Sequence, residues 1–142
     1  IILKIKMISR FAATQRTQAM ARMFSSYNYR SATNPRVWMT LARGGSTVGK
    51  LEIELFAQHQ PSLSANFQAL CKTDAPRNYV GSAFKTGLQG HGVQGGAIVG
   101  DDSNQGADCM RLPDENLELR HHKRGMVTMT NDGIHSNGSE FM

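Results

Sequence analysis

Two alternating runs joined by a glycine turn constrain the fold of this chain more than any other feature. The runs Val37–Ala42 and Val48–Phe56 alternate apolar and polar residues, and the short stretch RGGST lies between them. A period of two gives a strand one face for the core and one for solvent, and a short glycine-containing loop joins antiparallel neighbours. We therefore predict a β-hairpin with Ile53 on its apolar face and Glu54 on its polar face.

One helix is predicted directly after the hairpin, over residues 61–72. Pro61 suits the first turn of a helix, and Ser62 or Ser64 is available as a cap. Three apolar residues follow at the spacing i, i+4 and i+7: Leu63, Phe67 and Leu70. This spacing predicts one buried stripe along the helix.

Short β-like pieces follow the helix, separated by glycine-rich and acidic loops. They read SAF at 82–84, GAIV at 96–99 and GMVTM at 125–129. A hairpin, one helix and further short strands predict a mainly β domain, an antiparallel sheet or barrel capped by helix 61–72. We expect this domain to span residues 34–142.

The positive charge of the chain belongs to its first 36 residues. The formal net charge of the whole chain is +5, and residues 1–36 alone hold seven basic and no acidic side chains. The remainder is nearly neutral, which argues against a nucleic-acid-binding face. No apolar run approaches the roughly 20 residues that a membrane-spanning helix requires.

Residues 1–33 have the composition of a leader and linker. From Met7 the chain is rich in Arg, Ser, Ala and Thr, and Arg22 precedes Phe24 as in a matrix-processing site. This composition is typical of a mitochondrial transit peptide. The alternative is a disordered basic tail, because Arg10 and Arg16 do not lie on one helical face with Arg22. We expect a mitochondrial matrix location, with Cys71 and Cys109 reduced.

The glycine-rich stretch Gly81–Gly96 does not predict phosphate or metal chemistry. It lacks the pattern G-x-x-x-x-G-K-[ST], and no long helix follows it. Four histidines lie in this stretch and beyond it without metal-ligand spacing: His91, His121, His122 and His135. We predict neither a metal site nor a cofactor.

The order of several motifs is more specific than any one of them. These are GKLEIELF, P…NFQAL, QGG at 94–96, DEN at 114–116, and N…NGS from Asn131 to Ser139. In this order the chain from Asn34 to Met142 resembles the cyclophilin family of peptidyl-prolyl isomerases. The resemblance implies an eight-stranded antiparallel β-barrel, of which the last two strands and the second helix would lie beyond Met142.

The resemblance also implies which positions bind a proline-containing peptide. Thr86 stands where the family has its catalytic arginine, and Lys85 is the neighbouring cation. The implied catalytic positions are Thr86, Gln94 and Asn131. The implied substrate-binding positions are His91, Gly92, Gln94, Thr130, Asn131 and Met142. Two roles stay open, because Gln94 could satisfy buried backbone groups and Asn131 could serve the turn before Asp132.

Two functions are consistent with these residues. The first is a peptidyl-prolyl isomerase of reduced activity, since a guanidinium is rigid, forked and always charged, and Thr86 cannot replace it. The alternative is a non-catalytic accessory or interaction subunit of a mitochondrial assembly. The reason for this alternative is that three positions implied in catalysis and proline binding all differ from the family pattern: Thr86, His91 and Gly92.

Overall fold

The computed structural model describes residues 3–6, 31–101 and 103–142. Its secondary structure consists of six strands and one helix within those ranges. The predicted transit peptide from Met7 onward lies almost wholly outside the described residues. In the described part, no helix has the length and apolar character that crossing a bilayer would require.

The predicted hairpin is confirmed, with slightly longer strands. Strand β2 spans Arg36–Arg43 and strand β3 spans Ser46–Glu54, paired antiparallel with an irregularity between Leu41 and Ala42. The expectation that Glu54 faces solvent is wrong, because this side chain is buried. The amide of Asn34 donates to its Oε1 at 2.9 Å, which compensates the carboxylate for lost water.

Helix α1 spans Pro61–Leu70 and therefore ends two residues before the predicted boundary. Its stripe of Leu63, Phe67 and Leu70 is fully buried, as predicted. The predicted serine cap is wrong. Instead the carboxylate of Glu115 accepts the backbone N–H groups of Ser62 at 2.9 Å and Leu63 at 3.0 Å.

An early segment of the chain completes the larger sheet. Strand β1, Leu3–Lys6, lies between β3 and strand β6, Met126–Val127, and pairs antiparallel with both. The strand order is therefore β2-β3-β1-β6. The connection between β3 and β6 thus depends on residues 3–6.

A second ladder carries the glycine-rich stretch. Strands β4, Thr86–Leu88, and β5, Gly92–Gln94, pair antiparallel. Beyond β5, Phe141 bridges Gly95 on one side and Met129 on the other. These bridges join the two sheets into one continuous series of neighbours from β2 to β4.

The expected barrel is present only in part. In the ranges the structure describes, β2 and β4 do not pair, so the series of strands is not closed. The predicted strands 82–84 and 96–99 are also wrong. Ser82 closes a turn onto the carbonyl of Tyr79, and Gly96 leaves the extended conformation with φ +88°.

One core lies between the helix and the strands. Seven buried side chains form it: Val37, Ile53, Leu55, Phe67, Val127, Met129 and Phe141. The rings of Phe67, Tyr79 and Phe141 meet there, with centroids 5.3 to 5.6 Å apart in tilted or edge-to-face arrangements. Phe141 thus anchors the segment that carries the candidate site.

Candidate functional site

Three adjacent backbone segments bring most of the predicted site residues together. They are the end of β5, residues 139–142 and residues 128–130. Gly95 N–H donates to the carbonyl of Phe141 at 2.9 Å, and Met142 N–H donates to that of Thr128 at 2.8 Å. Thr130 N–H donates to the carbonyl of Glu140 at 2.9 Å. Predicted residues that are distant in sequence therefore lie on neighbouring strands.

Alternation along these segments separates the core from the site. Phe141 and Met129 are buried in the core. Because successive side chains point to opposite faces of a strand, Glu140 and Met142 lie on the other face, together with Thr130. This outer face is the candidate site.

Gln94 is held by a residue that sequence reasoning missed. Its Nε2 donates to Oε2 of Glu140 at 2.9 Å, and both side chains are half-buried. The signal for Glu140 was available in the sequence, since it lies between Ser139 and Phe141, two positions from the expected site residue Met142. The side chain of Gln94 therefore holds the carboxylate of Glu140, which is a different role from satisfying buried backbone groups.

Gly92 and Met142 lie directly against each other. A Cβ atom at Gly92 would be 3.0 Å from Cγ and 3.2 Å from Sδ of Met142. The thioether thus passes over bare backbone, and 46% of Met142 remains exposed. The pair provides a small apolar surface beside the polar pair Gln94 and Glu140.

Thr130 and Asn131 form the far side of the site. The Thr130 hydroxyl is buried and finds no hydrogen-bond partner within the described residues. Asn131 is exposed, and its Nδ2 donates to Oδ1 of Asn137 at 3.2 Å. Asn137 in turn donates to Asp114 at 2.7 Å, and this bond is the main reason that the pKa of Asp114 is lowered.

A second residue that sequence reasoning missed fixes the spacing of these segments. Oδ1 of Asn104 accepts the backbone N–H groups of Ser139 and Glu140, both at 3.0 Å. Its Nδ2 donates to the carbonyl of Thr130 at 3.3 Å. Asn104 has a φ of +43°, which asparagine tolerates better than most residues. No sequence pattern marked this role, because the contacts span 26 to 36 positions.

Thr86 lies beside the candidate site, whereas His91 lies in an exposed turn. The Cα atom of Thr86 pairs with that of Gln94 in the β4–β5 ladder, so the position lies beside the site. Lys85 N–H donates to the carbonyl of Gln94 at 3.0 Å. His91 is exposed in the turn between the strands and makes no hydrogen bond or ion pair with the described residues. His91 therefore has no polar contact with the group, although it directly precedes Gly92.

The comparison with protein families covers this whole arrangement. Residues 39–142 match the family described as cyclophilin type peptidyl-prolyl cis-trans isomerase/CLD. The match includes every candidate site residue and more than half of the chain, and cyclophilins bind proline-containing peptides. The resemblance seen in the motifs is thus confirmed: the chain belongs to the cyclophilin-type peptidyl-prolyl isomerase family.

Proposed function

We propose that the protein binds X–Pro segments and catalyses their cis–trans isomerisation weakly. The observation that supports this most directly is the grouping of Gln94, Thr130 and Met142 on adjacent strands of a cyclophilin-type domain. Asn131 follows Thr130 in the same segment. The proposed site uses no metal or cofactor.

The reaction requires little chemistry from the protein. Rotation about an X–Pro bond faces a barrier of about 18–20 kcal/mol, and no covalent bond has to form or break. An apolar surface must hold the proline ring, and polar groups must hold the flanking peptide. In this proposal Met142 contacts the ring, and the amides of Gln94 and Asn131 bind peptide backbone.

Two observations support weak rather than efficient turnover. Threonine stands at the position of the family's arginine, which removes a fixed positive charge from the site. A charge-assisted hydrogen bond is worth about 1.5–3 kcal/mol, so its loss slows turnover about 10- to 100-fold. One of the two N–H groups of Gln94 Nε2 is also already bonded to Glu140, so only the other N–H and the amide oxygen remain for a peptide.

The hydrogen bond between Gln94 and Glu140 favours a second candidate, a peptide-binding module without turnover. With the Gln94 amide held by Glu140 and no arginine at position 86, the site retains an apolar contact and the amide of Asn131 but lacks a group that acts on the prolyl nitrogen. Such a domain would serve as an accessory subunit of a mitochondrial assembly. This candidate predicts that a proline-containing peptide binds but isomerises no faster than it does alone.

Exchange spectroscopy on a proline tetrapeptide tests both candidates at once. Isomerisation is followed by NMR, because this readout also works for slow catalysts, and binding is read from shifts of the peptide signals. We expect catalysed exchange at micromolar protein, reduced by Gln94→Ala. Glu118→Gln serves as the control, since Glu118 is exposed and lies outside the site. Binding without faster exchange would replace the enzyme by the module, and no binding would contradict both.

We also propose a mitochondrial location, supported by the basic, acid-free first 36 residues. The test is a fluorescent reporter fused behind residues 1–36. We expect import into the matrix, and loss of import when Arg10, Arg16 and Arg22 are changed to Gln. A reporter that stays outside mitochondria would contradict the location without affecting the proposed activity.

A further inference from the structure

The carboxylate of Glu140 is a negative charge inside the candidate site. Glu140 is half-buried on the outer face, between Gln94 and the Thr130 backbone. Oε2 accepts the amide of Gln94, whereas Oε1 makes no hydrogen bond with the described residues. One oxygen of this carboxylate is therefore available to a bound molecule.

No basic side chain of the described residues neutralises this charge. Arg111, on the Asn131 side of the site, pairs instead with Asp132 at 3.6 Å. Lys85 is exposed and lies outside ion-pair distance of Glu140, although its backbone adjoins Gln94. A half-buried carboxylate with a neutral hydrogen-bond donor attracts a cation more strongly than a fully solvated one does.

We propose that Glu140 makes the site selective for peptides with Lys or Arg next to the proline. This inference rests on the proposed function, because it assumes that the peptide lies across Gln94 and Met142. With the ring on Met142, the side chain of a flanking residue reaches Glu140, which precedes Met142 by two positions on the same strand face. A basic flanking residue gains an ion pair, and an acidic one meets a like charge.

Two matched peptides test the inference. They are identical except that the residue before proline is Lys in one and Glu in the other, and each affinity is measured by fluorescence polarisation. We expect the Lys peptide to bind roughly 3- to 10-fold more tightly at low salt. Raising the ionic strength from about 0.02 M to about 0.3 M should reduce this ratio, because screening weakens charge pairs.

Glu140→Gln is the decisive variant, since it removes the charge and keeps an acceptor for Gln94. The preference for Lys should disappear in this variant and persist in Glu118→Gln, which changes the net charge equally. The salt series on the unmodified protein gives an independent answer if Glu140→Gln does not fold. Equal affinity for both peptides would overturn the selectivity and leave the proposed function intact. If neither peptide binds, the proposed function fails as well.

Discussion

At the scale of single residues, Thr86 is the position with the largest expected effect on activity. It lies opposite Gln94 in the β4–β5 ladder, at the position where the motif resemblance implies an arginine. We predict that Thr86→Arg raises kcat/KM for a proline tetrapeptide about 10- to 100-fold, the value of one charge-assisted hydrogen bond. Thr86→Gln is the control for side-chain length without charge. An equal gain in both variants would mean that the guanidinium is not the missing group.

The hydroxyl of Thr130 gives a prediction of unusual sign. This buried group lacks a partner among the described residues, and such a group costs about 1–3 kcal/mol. Thr130→Val keeps the shape and removes the hydroxyl, so we expect the free energy of unfolding to rise by about 1 kcal/mol.

The measurement for Thr130→Val is the urea midpoint at constant m-value. Thr128→Val is the matched control in the same segment, because the Thr128 hydroxyl contacts the carbonyl of Met129 at 3.4 Å. We expect no gain in stability there. A loss of stability in Thr130→Val would show that its hydroxyl has a partner, such as water.

At the scale of elements, helix α1 depends on a cap from a distant loop. Glu115 accepts two N–H groups of the first turn, which no serine of the helix satisfies. We predict that Glu115→Ala lowers the free energy of unfolding by about 1–2 kcal/mol, measured by urea denaturation. Glu118→Ala, in the same loop without contact to the helix, should have little effect. Equal losses in both would assign the effect to the loop.

Gly96 follows strand β5 at a position where the core leaves no room for a side chain. Gly96 has a φ of +88°, and a Cβ there would lie 2.6 Å from Cδ1 of Phe141. Gly90 has a similar φ of +84° with nothing within 4 Å. We predict that Gly90→Ala costs about 1–2 kcal/mol of stability and Gly96→Ala about 2–5 kcal/mol, since only the latter adds a clash in the core. Equal losses would contradict the role of Phe141.

The elements with their own periodicity were the ones that could be predicted from sequence. The hairpin and α1 carry periods of two and 3.6, so their cores at Ile53 and Phe67 follow from local pattern. The cap from Glu115 and the burial of Glu54 depend on partners that only the tertiary fold brings near. The strands predicted at 82–84 and 96–99 failed because positive-φ glycine and turn geometry outweighed apolar composition.

The candidate site shows the same division. Motif order identified Gln94 and Met142, which the fold places close together. It gave no role to Asn104, because its contacts connect segments 26 to 36 positions apart. It also passed over Glu140, although that residue lies two positions before Met142. The resemblance implied that His91 belongs to the peptide-binding residues. In the structure it lies in the exposed turn between β4 and β5.

At the scale of the whole molecule, strand β1 joins the two parts of the larger sheet, β2 and β3 on one side and β6 on the other. It is the strand between β3 and β6, and without it both would expose unpaired backbone. We predict that replacing Leu3–Lys6 by Gly-Ser-Gly-Ser accelerates hydrogen exchange at the amides of Glu52 and Val127, because alternation along β3 and β6 points both N–H groups toward β1. The measurement is amide exchange followed by NMR.

The control for this replacement is the bridge between Leu112 and Asn137, which does not involve the larger sheet. Its exchange rate should not change. If Glu52 and Val127 also keep their rates, β1 does not hold the sheet together in solution.

The position of β1 has a consequence for the order of the folding reaction. Strand β1 belongs to the same chain as β3 and β6, so its encounter with them is intramolecular and independent of protein concentration. A cut between β1 and β2 would leave β1 as a separate peptide whose occupancy follows mass action. Completion of the central sheet would then change from a first-order to a second-order process, and dilution alone would open it.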